Sequence, residues 1–252
     1  MKKILLASVL LSELLLASSL KIGVVGVDMD YKEYVNGSVL DSEETSLSDL
    51  KGMEIAYSDE INELMSYEIY GSYILGDSKY VGALINSNAG YGSFTSSTAN
   101  TFVDFGATLK ATKSISKETE LYLGIGVGRK DWQRDLSTTY TETYSWIYTA
   151  VSAGANYEIN SAFDIGLDFT YKYALDPNMH SSLTGHSYTL GGATSYAFGI
   201  PIVYKYSDTY EFFVENVIEV QDIKKSDSRT GIQEPDSTTN NYYLKLGLVY
   251  NF

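Results

Sequence analysis

Cysteine is absent from this chain of 252 residues, proline occurs 3 times, histidine twice, and 18 basic residues face 32 acidic ones. Without cysteine there is no disulfide scaffold, no thiolate metal site and no lipid attachment near the N-terminus. A formal net charge of −14 leaves no basic footprint for nucleic acid. The longest apolar run, Ile4 to Leu11, is interrupted only by Ser8. It falls far short of the roughly 18 to 20 residues that a transmembrane helix needs. A helical membrane protein is therefore excluded. What the chain has instead is 23 Tyr, 9 Phe and 21 Gly at a mean hydropathy of −0.12. A disordered chain would lack these aromatics. The composition points to an all-β chain.

The N-terminus reads as a targeting segment. Lys2 and Lys3 are followed by an apolar stretch to Leu16, broken by Glu13, and by the small residues Ala17-Ser18-Ser19. This pattern is that of a cleaved secretory signal over residues 1–19, leaving 20–252 as one domain.

Alternation is the main signal in that domain. A strand crossing a bilayer shows one face to hydrocarbon and the other to a polar interior, so apolar residues recur at every second position over about 9 to 11 residues. Phe163, Ile165, Leu167, Phe169, Tyr171, Tyr173 and Leu175 alternate with Asp164, Gly166, Asp168, Thr170, Lys172 and Ala174. Downstream, Leu190, Thr194, Tyr196, Phe198, Ile200, Ile202, Tyr204 and Tyr206 point outward against small residues and Lys205. In the next segment Tyr210, Phe212, Val214, Ile218 and Val220 are outward, with Glu211, Phe213, Glu215, Val217 and Glu219 inward. Earlier segments are Val25, Val27, Met29 and Tyr31 outward against Asp28, Asp30 and Lys32, then Val103 to Leu109 against Asp104 and Lys110, and Leu121 to Val127. Weaker alternation marks 62–75, 80–92 and 143–158.

With the final segment at 242–252 this predicts a ten-stranded antiparallel up-and-down barrel. Assigning 62–92 to an extended first loop would give eight strands. The connectors take turns being long (36–61, 93–100, 131–142, 176–186 and 222–238) and short, as in a barrel with long loops on one side and short turns on the other. Beside the short turns stand Tyr157, Phe163, Tyr204, Tyr206 and Tyr210, with Tyr250 and Phe252. At that depth these aromatics would form an interfacial girdle.

The C-terminal segment carries Tyr242, Leu244, Leu246, Leu248, Tyr250 and Phe252 at every second position and ends on the last of them. It resembles the terminal signal of bacterial outer-membrane barrels. The resemblance implies a Gram-negative outer-membrane location, assembly by the barrel-insertion machinery, and outer-membrane lipid and lipopolysaccharide as neighbours.

Function is less legible. Inward acids Glu211, Glu215 and Glu219, with Asp28, Asp30, Asp164 and Asp168, have Lys32, Lys172, Lys205 and Lys245 as partners. They form either a salt-bridged plug or the lining of a narrow cation-favouring pore. Inward Gly124, Gly126 and Gly128 leave room that Trp146 and Tyr148 would fill, or that stays open as a passage. The first long loop, 36–61, holds seven acids and one lysine, which is solvated surface or a site for divalent cations, lipopolysaccharide or host surfaces. Its distal Met53, Ile55 and Tyr57 keep the parity of Met65, Tyr67, Ile69, Tyr73 and Leu75, as one long protruding strand or a separate short strand that changes the count would. Ten strands with Asp176 and His180 in the fourth long loop resemble the omptin family of outer-membrane proteases, which implies a hydrolase. The match is partial, because the pair stands four apart rather than two and residues 93–100 contain no acid. His180-Ser181-Ser182 also resembles the His-x-Ser of outer-membrane lipid A deacylases. His180 and His186 fit no standard zinc pattern. The expectation is a barrel with a structural or surface-interaction role, without enzymatic activity, metal or cofactor; a narrow channel is the alternative and a hydrolase the third.

Overall fold

A computed structural model describes residues 19–83, 90–229 and 231–252; the expected signal segment, apart from Ser19, and the middle of the 80–92 segment lie outside them. Eleven strands form one antiparallel sheet: β1 (Ser19–Val35), β2 (Ser38–Glu44), β3 (Leu50–Asn62), β4 (Met65–Gly82), β5 (Phe94–Ser114), β6 (Thr119–Ser137), β7 (Tyr140–Asn160), β8 (Phe163–Ser181), β9 (His186–Lys205), β10 (Tyr210–Ser226) and β11 (Asp236–Asn251). Each pairs with its neighbour, and β1 pairs with β11 from Ser19 opposite Asn251 to Tyr34 opposite Asp236. The sheet thus closes on itself, which leaves no edge strand unpaired.

Strands β2 and β3 lie end to end between β1 and β4 and make one stave, so eleven strands make ten staves. The expected count holds, but its parts are redistributed. The acid-rich segment 36–61 is this second stave rather than a loop, and the two strands expected at 62–75 and 80–92 include the single strand β4, which runs through the supposed turn at 76–79. Asn36 and Gly37, with φ of 52° and 78°, turn β1 into β2. Asn-Gly is a strong hairpin signal because both central positions of the turn need positive φ.

The second stave breaks at one level. Glu44 pairs with Asp30 and Lys79, and Leu50 with Val27 and Gly76, so residues 45–49 stand where each neighbour has two. The three extra residues bulge over β1, where a side chain on Gly26 would strike the carbonyl of Leu47. Thr45 closes the interrupted ladder: its Oγ1 accepts from the Met29 amide at 2.8 Å and donates to the Val27 carbonyl at 3.2 Å.

Outward positions form an apolar belt and then turn polar. On β6, Leu121, Leu123, Ile125 and Val127 are exposed, Leu123 to 66%, and Arg129, Asp131, Gln133 and Asp135 continue the same face above them. The strands run on past the belt, since a crossing needs only about 9 to 11 residues and β5 and β7 each have 21. Hence the expected long loops 131–142 and 176–186 are mostly strand, closed by tight turns.

The orientation of β1 is the reverse of the expected one. Val25 is 4% exposed and faces the lumen with Val27, Met29 and Tyr31, whereas Val24 is 55% exposed. Asp28, Asp30 and Lys32 are therefore on the outer face, with Lys32 and Asp30 paired at 2.7 Å. Both parities carry apolar residues in β1, and burying aromatic and aliphatic bulk above the belt decides between them. Leu190, expected outward, is also buried, at 3%. Strict alternation lapses at Gly191-Gly192, where Gly192 has φ of 153°, and Leu190 joins the interior while Ala193 keeps its inward place.

Candidate functional site

The interior divides into two levels. Above the belt, Trp132 stacks between Phe102 and Tyr144, with ring centroids 5.3 and 5.1 Å away, and meets Tyr31 edge-on at 5.0 Å. Directly above it lies Arg134, fully buried. It continues the inward face of β6 through Lys130 and Trp132, which is the parity signal that could have found it.

Arg134 reaches three strands. Its Nη1 is 2.9 Å from Glu33 on β1 and 2.8 Å from Glu142 on β7, and its Nη2 is 2.7 Å from Glu43 on β2. The second oxygen of Glu43 accepts from Ser78 at 2.5 Å and from Asn100 at 3.1 Å, and Asn100 in turn accepts from the Trp132 indole at 2.8 Å. Tyr144 donates to Glu234, which enters from the segment joining β10 to β11. Asp41, opposite Glu33 in the β1–β2 ladder, accepts from Tyr80 at 3.1 Å.

Three carboxylates contact the one guanidinium, Asp41 and Glu234 take tyrosine hydroxyls instead, and the electrostatics of the five diverge. Burial alone would raise Glu43, but the Arg134 charge and the donors Ser78 and Asn100 outweigh it and hold this carboxyl below its ordinary value. Burial pushes Asp41 up to about 8, helped by the charge of Glu33 and opposed by Arg134. Burial also raises Glu142, and it raises Glu234 further, reinforced by Glu33 and Glu142.

Below this plug the lumen is bridged by ion pairs. Lys21 and Lys245 alternate with Glu54 and Glu215 in a ring of contacts of 3.1, 3.0, 3.0 and 3.5 Å. Lys172 pairs with Asp104 at 3.0 Å, Lys110 with Glu68 at 3.3 Å, and Lys205 with Asp164 at 2.8 Å near the turns. Lys130 crosses to Gln221 at 2.8 Å and lies 3.8 Å from Glu219, which accepts from Tyr243 at 2.8 Å. Asp168 accepts from Tyr122 at 2.6 Å, and Glu211 from Asn251 at 3.2 Å. The Lys21–Lys245 ring with Glu54 and Glu215, and the pairs Lys172–Asp104 and Lys110–Glu68, border a cavity of about 390 Å³, whereas Asp164, Lys205 and Glu211 lie outside its lining. Of the glycines expected to leave room, Gly128 is covered by Tyr148, as Gly106 is by Tyr70 and Gly154 by Tyr122, while Gly124 and Gly126 meet only the side chains of Ser152, Thr108 and Ala150, which line the cavity.

The other singled-out residues lie outside the lumen. Tyr157, Phe163, Tyr204, Tyr206 and Tyr210 are exposed at the end of the barrel where β1 begins and β11 ends. Tyr242, Leu244, Leu246, Leu248 and Tyr250 lie on the outer face of β11, with Phe252 just beyond it. His180 is exposed, with Nδ1 3.2 Å from the Ser187 hydroxyl, and Asp176 and His186 are exposed as well. Sequence reasoning missed Lys21, Glu54 and the whole Arg134 cluster.

No family model matches the chain, and no curated protein matches it. Solved structures do. The outer membrane protease OmpT from Escherichia coli aligns with a TM-score of 0.59 at 12% identity, over 93% of this chain and 96% of that one. The translocator domain of autotransporter NalP from Neisseria meningitidis gives 0.45 at 10% identity, over 100% and 98%. The outer membrane protein OprG from Pseudomonas aeruginosa gives 0.41 at 8% identity, over 94% and 97%. At such identities the likeness concerns the fold and leaves function open. The chain has the fold of an outer-membrane β-barrel.

Proposed function

We propose that this protein is a closed barrel of the Gram-negative outer membrane that serves a structural or surface-interaction role, with neither transport nor enzymatic activity. The observation that carries the reading is the Arg134 plug, in which fully buried side chains from β1, β2, β6 and β7 meet across the lumen. The ion pairs below it support the same reading, since the acids that would line a cation path are engaged by lysines. The protruding strands and tight turns above the belt form a stiff surface for contact with lipopolysaccharide or another cell. Short turns and both termini then face the periplasm, as in barrels with an even number of staves.

Swelling of proteoliposomes in isotonic solutions of small sugars and amino acids tests this. The closed barrel predicts the rate of protein-free liposomes. Swelling that depends on solute size would make the narrow channel the correct reading.

A further inference from the structure

Below the plug the lumen holds a chamber with one open end. Its volume of about 390 Å³ is within the range that small ligands occupy. Side-chain exposure rises away from the plug, from 0% at Arg134 through 10% at Lys130 to 29% at Lys110, so the chamber is blind above and open toward the turns. Part of its wall is apolar, through Val25, Val27, Ile74 and Phe102.

Among the described residues, five lysines and six carboxylates line this chamber. Lys21 and Lys245 engage Glu54 and Glu215, Lys172 engages Asp104, Lys110 engages Glu68, and Lys130 lies by Glu219. Asp168 is the exception: its partner is the Tyr122 hydroxyl, at 2.6 Å, and none of these lysines forms an ion pair with it. Glu215 stands beside it, since a side chain on Gly199 would lie 3.4 Å from Asp168 Cβ and 3.6 Å from Glu215 Oε1. Both lysines that reach Glu215 contact its Oε2, which leaves Oε1 on the side of Asp168. A second wall group, independent of these acids, also lacks a donor: buried Asn241 gives Nδ2 to Tyr243, and its Oδ1 has no partner. The donors of the wall are engaged, and the groups left over are acceptors. A guest that completes the chamber therefore brings hydrogen-bond donors and one positive charge.

We propose that this chamber binds a small organic amine, with its ammonium group between Asp168 and Oε1 of Glu215 and its carbon body against the apolar wall. A bare metal ion would leave most of the volume to water and the apolar wall unused, and an anion would meet no free lysine. In the proposed orientation the open end faces the periplasm, so the amine enters from there. The inference goes beyond a structural role and rests on the closed barrel only for the blind end of the chamber. Binding is read below without permeability, so either reading can fail alone.

Isothermal titration of the refolded barrel in a non-ionic detergent tests it, with n-butylamine as the probe and n-butanol and butyrate as neutral and anionic controls of the same length. Neutral pH keeps the amine charged, and physiological salt screens diffuse attraction to the acidic surface. The chamber predicts one amine per barrel, bound at least about tenfold more tightly than the alcohol, and no binding of butyrate. Asp168→Asn should weaken the amine at least about tenfold. Ala197→Leu, which fills the chamber without changing its charge, should weaken it too. Asp164→Asn, at a carboxylate outside the lining, should leave it unchanged. Equal binding of amine and alcohol by the wild-type protein overturns the proposal without any variant. So does amine binding that persists undiminished in Asp168→Asn or in Ala197→Leu.

Discussion

Arg134 and Glu43 share a two-point contact that no solvent reaches: Nε and Nη2 of the guanidinium lie 3.0 and 2.7 Å from one oxygen of the carboxylate. The pair joins β6 to β2, staves on different sides of the barrel. Removing one partner of a buried pair strands the other, and the cost is about 3–5 kcal/mol. Arg134→Ala should lower the urea midpoint of the refolded barrel accordingly. Arg134→Lys, which keeps charge but loses the fork of donors, should fall between. Equal midpoints for wild type and Arg134→Ala would show that the cluster is not part of the folded core.

The same cluster gives stability a pH dependence of defined sign. Asp41 is raised from 3.8 to about 8, so between those values the folded state keeps a proton that the unfolded chain has released. Folded binding of that proton makes stability fall as pH rises through the window. Glu142 and Glu234 act in the same direction. Glu43 acts oppositely, because its lowered value contributes stability that is lost in acid. The urea midpoint should therefore be higher at pH 5 than at pH 8, and Asp41→Asn should flatten the slope. A midpoint rising from pH 5 to pH 8 contradicts this assignment.

Gly128 faces Tyr148 across the β6–β7 ladder, and a methyl group there would meet the phenol ring and its hydroxyl. Gly128→Ala should cost about 1–3 kcal/mol, the usual penalty of overpacking. In a Tyr148→Ala background part of that cost should vanish, and additivity of the two changes would place the phenol elsewhere. Chemical denaturation of the four proteins in the cycle decides it.

At the break in the second stave, Thr45→Ala removes the acceptor of the Met29 amide. The expected loss is about 1–3 kcal/mol, and Thr45→Ser should restore most of it because the hydroxyl does the bonding. Hydrogen exchange at Met29 gives the same test residue by residue: faster exchange in the alanine variant, unchanged exchange in the serine variant.

Architecture was legible wherever the two faces of a strand differ in chemistry. Strands β8, β10 and β11 put charge or small residues on one side and aromatics on the other, so a one-residue slip would expose charge to lipid. Strand β1 lacks that contrast, because its upper inward face is itself apolar, from Val25 to Tyr31. The second stave was half hidden by its acids: Met53, Ile55 and Tyr57 in β3 showed alternation, but β2 did not. Glu43 and Glu54 look like loop residues until Arg134, Lys21 and Lys245 are seen to reach them from other staves. Those contacts join residues 91 positions apart in one case and 191 in another, so no local pattern records them. Asn36-Gly37 is a local signal of the hairpin that the sequence reading did not use.

The closed lumen is the centre of the account, and ion conductance in a planar bilayer tests it most directly. The refolded wild-type protein, shown to be inserted by its heat-modifiable migration, should carry no steady current. Glu215→Gln and Glu219→Gln should be equally silent. A steady cation-selective current in the wild type that falls in both variants would contradict the plug and turn the ring of lysines and glutamates into a pore lining.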